Sequence, residues 1–423
     1  MKDFTLIKEN ISRESNTLLK NRKNKVYSSL DNALSFYNEE YKFSPLLKKV
    51  SKKFDILNRS IGSKIELSLN NNLLKKYKNQ FSIVTINGIY QESLSKIPNG
   101  LNVKSYNDLN TIEKKDFHKS FNYQDDSSKD IFTSINTINC NESLIIKVDK
   151  NYSSKEHINI LNFLQSKSVN HLRKLIICNP NAKVTFIEEI INVNSNENFS
   201  TSVTEIFQEE NSEIEYFTLQ NNDKDYHFNS INISQKQNSI SNCFTFSYSG
   251  ALVRNNLNIE LKDKNCYANM YGFYALKNNA HVDNHTSVDH VDENSISNEH
   301  YKGIMDGNSN GVFNGKIFVR KEAQKTNAFQ SNNNILLSDN AKVNTKPQLE
   351  IWADDVKCSH GCTVGQLDEE AMFYLMSRGI PKNKATAILL GAFFEEILEK
   401  IDNVFIKEKI KNITEKQLEY LAL

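Results

Sequence analysis

The chain has 423 residues, with 52 Lys and Arg against 51 Asp and Glu and a formal net charge of +1. The two signs are interspersed, so there is no basic stripe of the kind that neutralises a phosphate backbone, and nucleic acid is not expected as a partner. The length exceeds what one compact core supports, so several units or one elongated solenoid are expected.

The opening segment Met1–Asn10 lacks the continuous apolar run of a signal peptide, and no stretch approaches the length of a membrane span. Six scattered cysteines fit a reducing compartment, with the cytoplasm as the expected location. Up to about Lys78 the sequence reads as helical and strongly charged. Leu18, Leu19, Val26, Leu30, Ala33, Leu34 and Tyr37 fall near helical spacing, and Pro45 marks a new start. From about Phe81 the character changes to short β-branched and aromatic runs such as Ser82–Ile86 and Leu144–Val148, separated by Asn, Asp, Ser and Gly. Between about Ile131 and Ile351 such runs recur without a convincing helix. Regular short strands mean a sandwich, a barrel or a solenoid, and periodicity alone does not choose among them. With five prolines in all, the turns lean on asparagine, which tolerates left-handed backbone. Gly303, Gly307, Gly311 and Gly315 are expected at corners, since no phosphate-loop pattern accompanies them.

Towards the C-terminus, Lys346-Pro347 forces an extended entry, and Leu349, Ile351 and Ala353 alternate with polar neighbours as in a strand. Cys358-Ser359-His360-Gly361-Cys362 then reads as a corner, with a thiol and an imidazole two residues apart. Both groups suit iron, although a free cysteine is often simply buried. Asp354 and Asp355 are candidate acceptors for the second ring nitrogen of His360. His281, Asp283 and His285 share one face if their segment is a strand, and His290 falls on the other. That arrangement suits a weak metal site or a polar ladder equally. In the tail, Asp368 is placed to cap a helix, Gly379 to end it and Pro381 to open the next. Ala385, Ile388, Leu389, Ala392, Phe393 and Ile397 form a helical stripe. Thr414-Glu415-Lys416-Gln417 offers a capping box for a last short helix. The divisions are an N-terminal helical and mixed region over 1–130, a β core over 131–365 and a C-terminal helical domain over 366–423.

The segment Lys346–Glu396 resembles the C-terminal signature of the SufB/SufD family, the scaffold proteins of the SUF iron–sulfur cluster assembly system. Gly250–Asn255, His281–Thr286, Tyr301–Gly307, Gly311–Lys316 and Ala323–Ser331 are similar to that family too. Asn38–Phe43 resembles an N-terminal patch of the family, with Tyr41 where tryptophan is usual, and Cys362 replaces a commonly small residue. The run His281–Thr286 and the short chain favour the SufD branch. The resemblance implies a right-handed parallel β-helix with helical regions at both ends, in which each coil covers the apolar face of the next. It also implies a non-catalytic scaffold that pairs with SufB and binds the ABC-type ATPase SufC. No cofactor is stably bound by the isolated chain, and an iron–sulfur cluster is carried transiently in the complex. His360 is then the candidate cluster ligand, with Cys358 beside it. Leu349 and Ile351 are candidates for the SufB contact. Met372, Phe373, Ile388, Leu389 and Phe393 are candidates for the SufC contact. A homodimer in isolation is a further possibility. Two rival readings are a SufB-type principal scaffold and a carbohydrate-acting β-helix enzyme. The enzyme would need Asp283, Asp289, Asp292 and Glu293 to share a cleft.

Overall fold

The computed structural model describes residues 17–56, 74–120, 130–140, 142–164, 169–193 and 197–423; the expectation for Met1–Asn10 lies outside them. The short runs wind into a parallel β-solenoid of about seven turns. One sheet runs in the order β2 (Ile89–Tyr90), β1 (Phe81–Ile86), β5 (Ile158–Leu164), β7 (Lys183–Asn192), β9 (Glu213–Gln220), β11 (Ile240–Ser247), β13 (Tyr267–Leu276), β15 (Ile296–Met305), β17 (Asn327–Leu336) and β19 (Lys357–Gly365). The other runs β3 (Leu101–Ser105), β4 (Leu144–Val148), β6 (Val169–Cys178), β8 (Phe199–Gln208), β10 (Tyr226–Gln235), β12 (Leu252–Leu261), β14 (His281–His290), β16 (Asn310–Val319) and β18 (Lys342–Ile351). β2 and β3 pair antiparallel with β1 and β4 at the first end; from β4 onward consecutive strands alternate between the sheets, so each coil contributes one strand to each, in parallel register with the coil before it.

The period of two along each strand sends every second side chain inward. Ile206, Ile233, Ile259 and Val288 stack through β8, β10, β12 and β14, and together with Phe186, Tyr216, Cys243 and Met270 of the facing sheet they form the interior core. Four of the corners seat an asparagine in left-handed backbone that is also bonded to the corner before it. Asn181, Asn211, Asn238 and Asn265 have φ of 60, 57, 58 and 58°. Their side-chain amides donate in series to Asn151, Asn181, Asn211 and Asn238 at 2.8, 3.1, 3.0 and 3.2 Å. Of the four glycines expected at corners, only Gly307 (φ 67°) occupies one. Gly303, Gly311 and Gly315 lie within β15 and β16. A Cβ on Gly303 would sit 2.3 Å from the Tyr274 ring, so its lack of a side chain makes room in the interior.

Helices α1 (Thr17–Ser28), α2 (Leu30–Glu40) and α3 (Leu46–Lys53) form where the apolar spacing predicts, with Pro45 immediately ahead of α3. The chain has another helix, α4 (Thr111–Ser120), before α5 (Ile131–Asn139), which forms where no helix was expected. Its β-branched residues suggest extended backbone. Asp130 nevertheless caps it at the N–H groups of Phe132 and Thr133, and every residue of it is buried. It lies between the N-terminal helices and the outer face of the second sheet, where Phe132 packs on Phe199, Phe228 and Tyr41.

The tail forms α6 (Glu369–Ser377), α7 (Lys382–Leu398) and α8 (Val404–Leu421). Asp368 accepts from the N–H groups of Glu370 and Ala371, and Gly379 takes φ 82°, as the sequence implies. The α7 stripe differs from the expected one. Ala385, Leu390, Phe394, Ile397 and Leu398 are buried, whereas Ile388 and Ala392 are exposed. The segment is apolar on nearly every side, so spacing does not identify which side meets the sheet. Thr414 begins no helix: it lies inside α8, buried, with Oγ1 2.7 Å from the Tyr248 hydroxyl. Together α7 and α8 cover Phe217, Phe246 and Phe273 on the outer face of the first sheet. Among the described residues no helix is long and apolar enough to cross a membrane.

Candidate functional site

The solenoid ends at β18 and β19, the outermost strands of the two sheets. Lys342 and Trp352 direct their N–H groups back to Ser309 and Val319 of the preceding coil, 3.0 and 2.9 Å away. Backbone direction alternates along a strand, so the odd-numbered residues of β18 turn their N–H side to the open edge. Pro347 occupies one of those odd positions, where its missing donor removes nothing from the ladder. Leu349 and Ile351 do so as well. Leu349 is half-buried beside Ile317 and Val319, and Ile351 is 40% exposed.

The Cys-Ser-His segment is not a corner. Lys357–Gly365 is strand β19, paired residue for residue with Asn327–Ile335. Gly361 has open space where a Cβ would lie and an ordinary backbone. The bend comes earlier, between β18 and β19, where the Asp355 N–H donates to Gln324 Oε1. Asp354 and Asp355 remain at that bend, away from the middle of the strand where His360 stands, and so do not serve it as acceptors. Cys358, His360 and Cys362 continue the inward rows of Ala328, Gln330 and Asn332. All three therefore face the open end of the solenoid from one strand. Cys358 is half-buried, and burial pushes its thiol up. His360 and Cys362 are exposed.

Alternate residues of a strand are spaced by about 6.6 Å, so a single ion is reached by two neighbours of this row and not by all three. Among the described residues no three His, Cys, Asp or Glu side chains gather into a ligand set. The site is therefore chemically partial. Beneath His360, one coil back, is Gln330, whose Nε2 donates to Glu299 Oε2 at 2.6 Å. Burial pushes the Glu299 carboxyl up to about 7, against hydrogen bonds from Thr286 and Gln330.

The other expected residues separate into two groups. On the tail, Phe373 is 75% and Ile388 49% exposed, while Met372, Leu389 and Phe393 are half-buried. Phe393 is also covered by Lys302, whose Nζ stands 4.4 Å from the ring centre. Tyr374 and Met376 extend the exposed patch; the sequence reading missed them because α6 has no clear apolar face.

On β14 the two-faced arrangement of the histidines holds. His281, Asp283 and His285 face outward, where N-terminal residues engage His281 and His285. His281 Nε2 lies 2.9 Å from Ser44 Oγ, and His285 lies between Asp283 (3.0 Å) and Glu40 (3.6 Å). Arg254 bridges Asp283 at 2.7 Å and stacks on Tyr41, and Lys316 reaches Glu40 at 2.9 Å. Burial alone would raise the Asp283 carboxyl, but Arg254 and His285 hold it well below the usual carboxylate range. Glu40, Tyr41, Arg254, His285 and Lys316 line a cleft of about 270 Å³ where four of the separately noted motifs converge, a meeting that no local signal reveals. His290 faces inward to Ser297 Oγ at 2.9 Å. The carboxylates needed for a glycosidase are engaged elsewhere: Asp289 with Arg320, and Glu293 with Lys264.

The family model described as SUF system FeS cluster assembly, SufBD core domain, matches residues 162–393, more than half of the chain. An iron–sulfur cluster assembly SufBD family protein of Synechocystis is 28% identical over 348 residues, covering 78% of this chain and 76% of that one. The iron–sulfur cluster assembly protein SufD of Escherichia coli is 32% identical over 241 residues, 57% of each chain. The chloroplastic protein ABCI7 of Arabidopsis thaliana is 27% identical over 296 residues, 67% of this chain and 62% of that one. The matches thus span less than two thirds of the Escherichia coli and Arabidopsis proteins.

Proposed function

The chain belongs to the SUF-system FeS cluster assembly family that shares the SufBD core domain, and from that membership we propose that it is a SufD-like scaffold subunit, non-catalytic by itself, which pairs with a SufB-type chain and binds an ABC-type ATPase of the SufC kind. The observation that carries this reading is the open solenoid end. There two outermost strands present unpaired backbone, and Cys358 and His360 face a space for which the described residues supply too few ligands for a closed set. A strand edge is suited to continue a sheet across a subunit boundary. A neutral imidazole is suited to complete a ligand set begun by a thiolate of the second chain.

The nascent cluster is cargo in this reading, held between two chains and passed on. Leu349 and Ile351 lie on the SufB-facing strand, and the same edge is available for a homodimer when the chain is alone. The exposed patch of Phe373 and Ile388 suits the ATPase. The relative bearing the name SufD supports this branch over a SufB-type principal scaffold. The cytoplasm is the expected setting.

The test is co-purification of the chain with a SufB-type chain and an ABC-type ATPase, followed by assay of iron and labile sulfide in the complex. His360→Ala is expected to leave subunit composition and melting temperature unchanged and to cut the retained iron and sulfide several-fold. Full loading in the variant would sink the ligand role. Cys358→Ser, assayed beside it, separates a shared Cys-His site, where both fall, from a packing thiol, where only His360→Ala does.

A further inference from the structure

Gln330 and Glu299 occupy successive rungs of the inward row that ends in His360. Both are 3% exposed. The Gln330 end facing Glu299 Oε2 is its amide nitrogen, which donates to that oxygen at 2.6 Å. That leaves Gln330 Oε1 buried and, among the described residues, without a hydrogen-bond partner. A buried carbonyl oxygen in that condition is costly, and such groups call for an explanation. The next rung beyond Gln330 is His360, and adjacent strands stand about 4.8 Å apart. An imidazole turned inward on that rung therefore comes within hydrogen-bond reach of the orphaned oxygen. The seat of the carboxamide is shaped from the opposite sheet as well: a Cβ on Gly315 would lie 1.9 Å from Gln330 Nε2. Glu299 fixes which end of the amide faces back, and Gly315 gives it room.

We propose that Gln330 is the positioning residue of His360: when the open end takes up metal, Gln330 Oε1 accepts the imidazole N–H and directs the second ring nitrogen at the cargo. Metal-bound histidines characteristically donate their other N–H to such an acceptor, which fixes the tautomer and raises ligand basicity. The inference rests on His360 being a ligand. It adds that the residues one and two coils back from His360, Gln330 and Glu299, set how well His360 binds.

The probe is Co²⁺ alone, titrated into the reduced complex of the full-length chain with a SufB-type chain and followed by visible absorption, with thermal melting recorded for each variant. Saturable binding that His360→Ala abolishes is expected of the parent complex. Gln330→Leu should raise the half-saturating concentration roughly tenfold or more, the range for a lost outer partner, without lowering the melting temperature. Gly315→Ala, which alters no polar atom but displaces the carboxamide, should reproduce that rise. Exchanging the pair in the double variant Glu299→Gln/Gln330→Glu keeps a bond between the rungs and an oxygen towards His360, and should return the affinity close to that of the parent. A merely structural role predicts lower melting temperatures and no rescue. If Gln330→Leu and Gly315→Ala bind as the parent does while His360→Ala does not, the positioning role is overturned and the ligand role stands. If His360→Ala binds as the parent does, or the parent shows no saturable binding, the ligand role in this chain fails and the inference fails with it.

Discussion

His290 shows how burial changes the chemistry of a single group. It is inside the solenoid, bonded to Ser297, and burial pushes its imidazole down to about 3. An unfolded histidine titrates near 6.5. The unfolded chain therefore takes up a proton there as pH falls below about 6.5, while the folded chain does not. Stability from this site is full at pH 7 and declines by up to about 1.4 kcal/mol per pH unit towards the folded value. His290→Gln removes that dependence. The stability gap between parent and variant, from denaturant titrations, should narrow between pH 7 and pH 5, and a gap that stays constant would show that the site does not titrate as described. Asp283 has the opposite environment: the buried Arg254 beside it keeps it ionised. The sequence placed His281, Asp283 and His285 on one face correctly. It gave no hint that Ser44 and Glu40, more than two hundred residues away, would be their partners.

At the scale of elements, the asparagine corners and the C-terminal helices carry distinct roles. Asn181, Asn211, Asn238 and Asn265 each adopt a left-handed conformation and bond to the corner before them. Asn211→Gly keeps the conformation and loses the bonds, whereas Asn211→Ala loses both. With left-handed backbone costing a β-carbon-bearing residue roughly 1–2 kcal/mol, alanine should be the less stable of the two by about 1 kcal/mol in equilibrium unfolding. Equal values would remove the conformational argument. The helices α7 and α8 seal the aromatic face of the first sheet, so deleting the tail after Gly365 would uncover that face and confuse folding with binding. A surface change is the cleaner probe of the proposed ATPase contact. Phe373→Glu on the exposed side of α6 should keep the melting temperature and weaken ATPase binding at least tenfold, the penalty expected for losing a central aromatic anchor. Unchanged affinity by calorimetry would move the contact elsewhere.

For the whole molecule, the decisive feature is that the solenoid is covered along its sides and open at its end. N-terminal helices cover one sheet and C-terminal helices the other, but among the described residues no further coil follows β18 and β19. Leu349 directs its N–H to the free edge, as Pro347 does, so Leu349→Pro removes an outward donor without breaking the ladder to β16. Pairing with a SufB-type chain through that edge predicts a large loss of heterodimer in size-exclusion chromatography, with the monomer still folded by circular dichroism. An intact heterodimer would place the interface away from β18.

The sequence by itself determined the kinds of element. Alternation, asparagine turns, Asp368 and Gly379 are local signals, and local backbone preference acts wherever the chain happens to pack. The resemblance of Lys346–Glu396 and the upstream motifs supplied the family and, with it, the solenoid. Tertiary structure decided everything that depends on which surface meets which. It turned the Cys-Ser-His corner into a strand, because the ladder offered by β17 outweighs the turn preference of Gly361. It selected Leu390 and Phe394 over Ile388 as the buried side of α7, because an all-round apolar helix takes its inner face from the sheet it covers. It also stacked Glu299, Gln330 and His360, each about thirty residues from the next, into one row. Coil length sets that row, and no window of sequence short enough to read contains it.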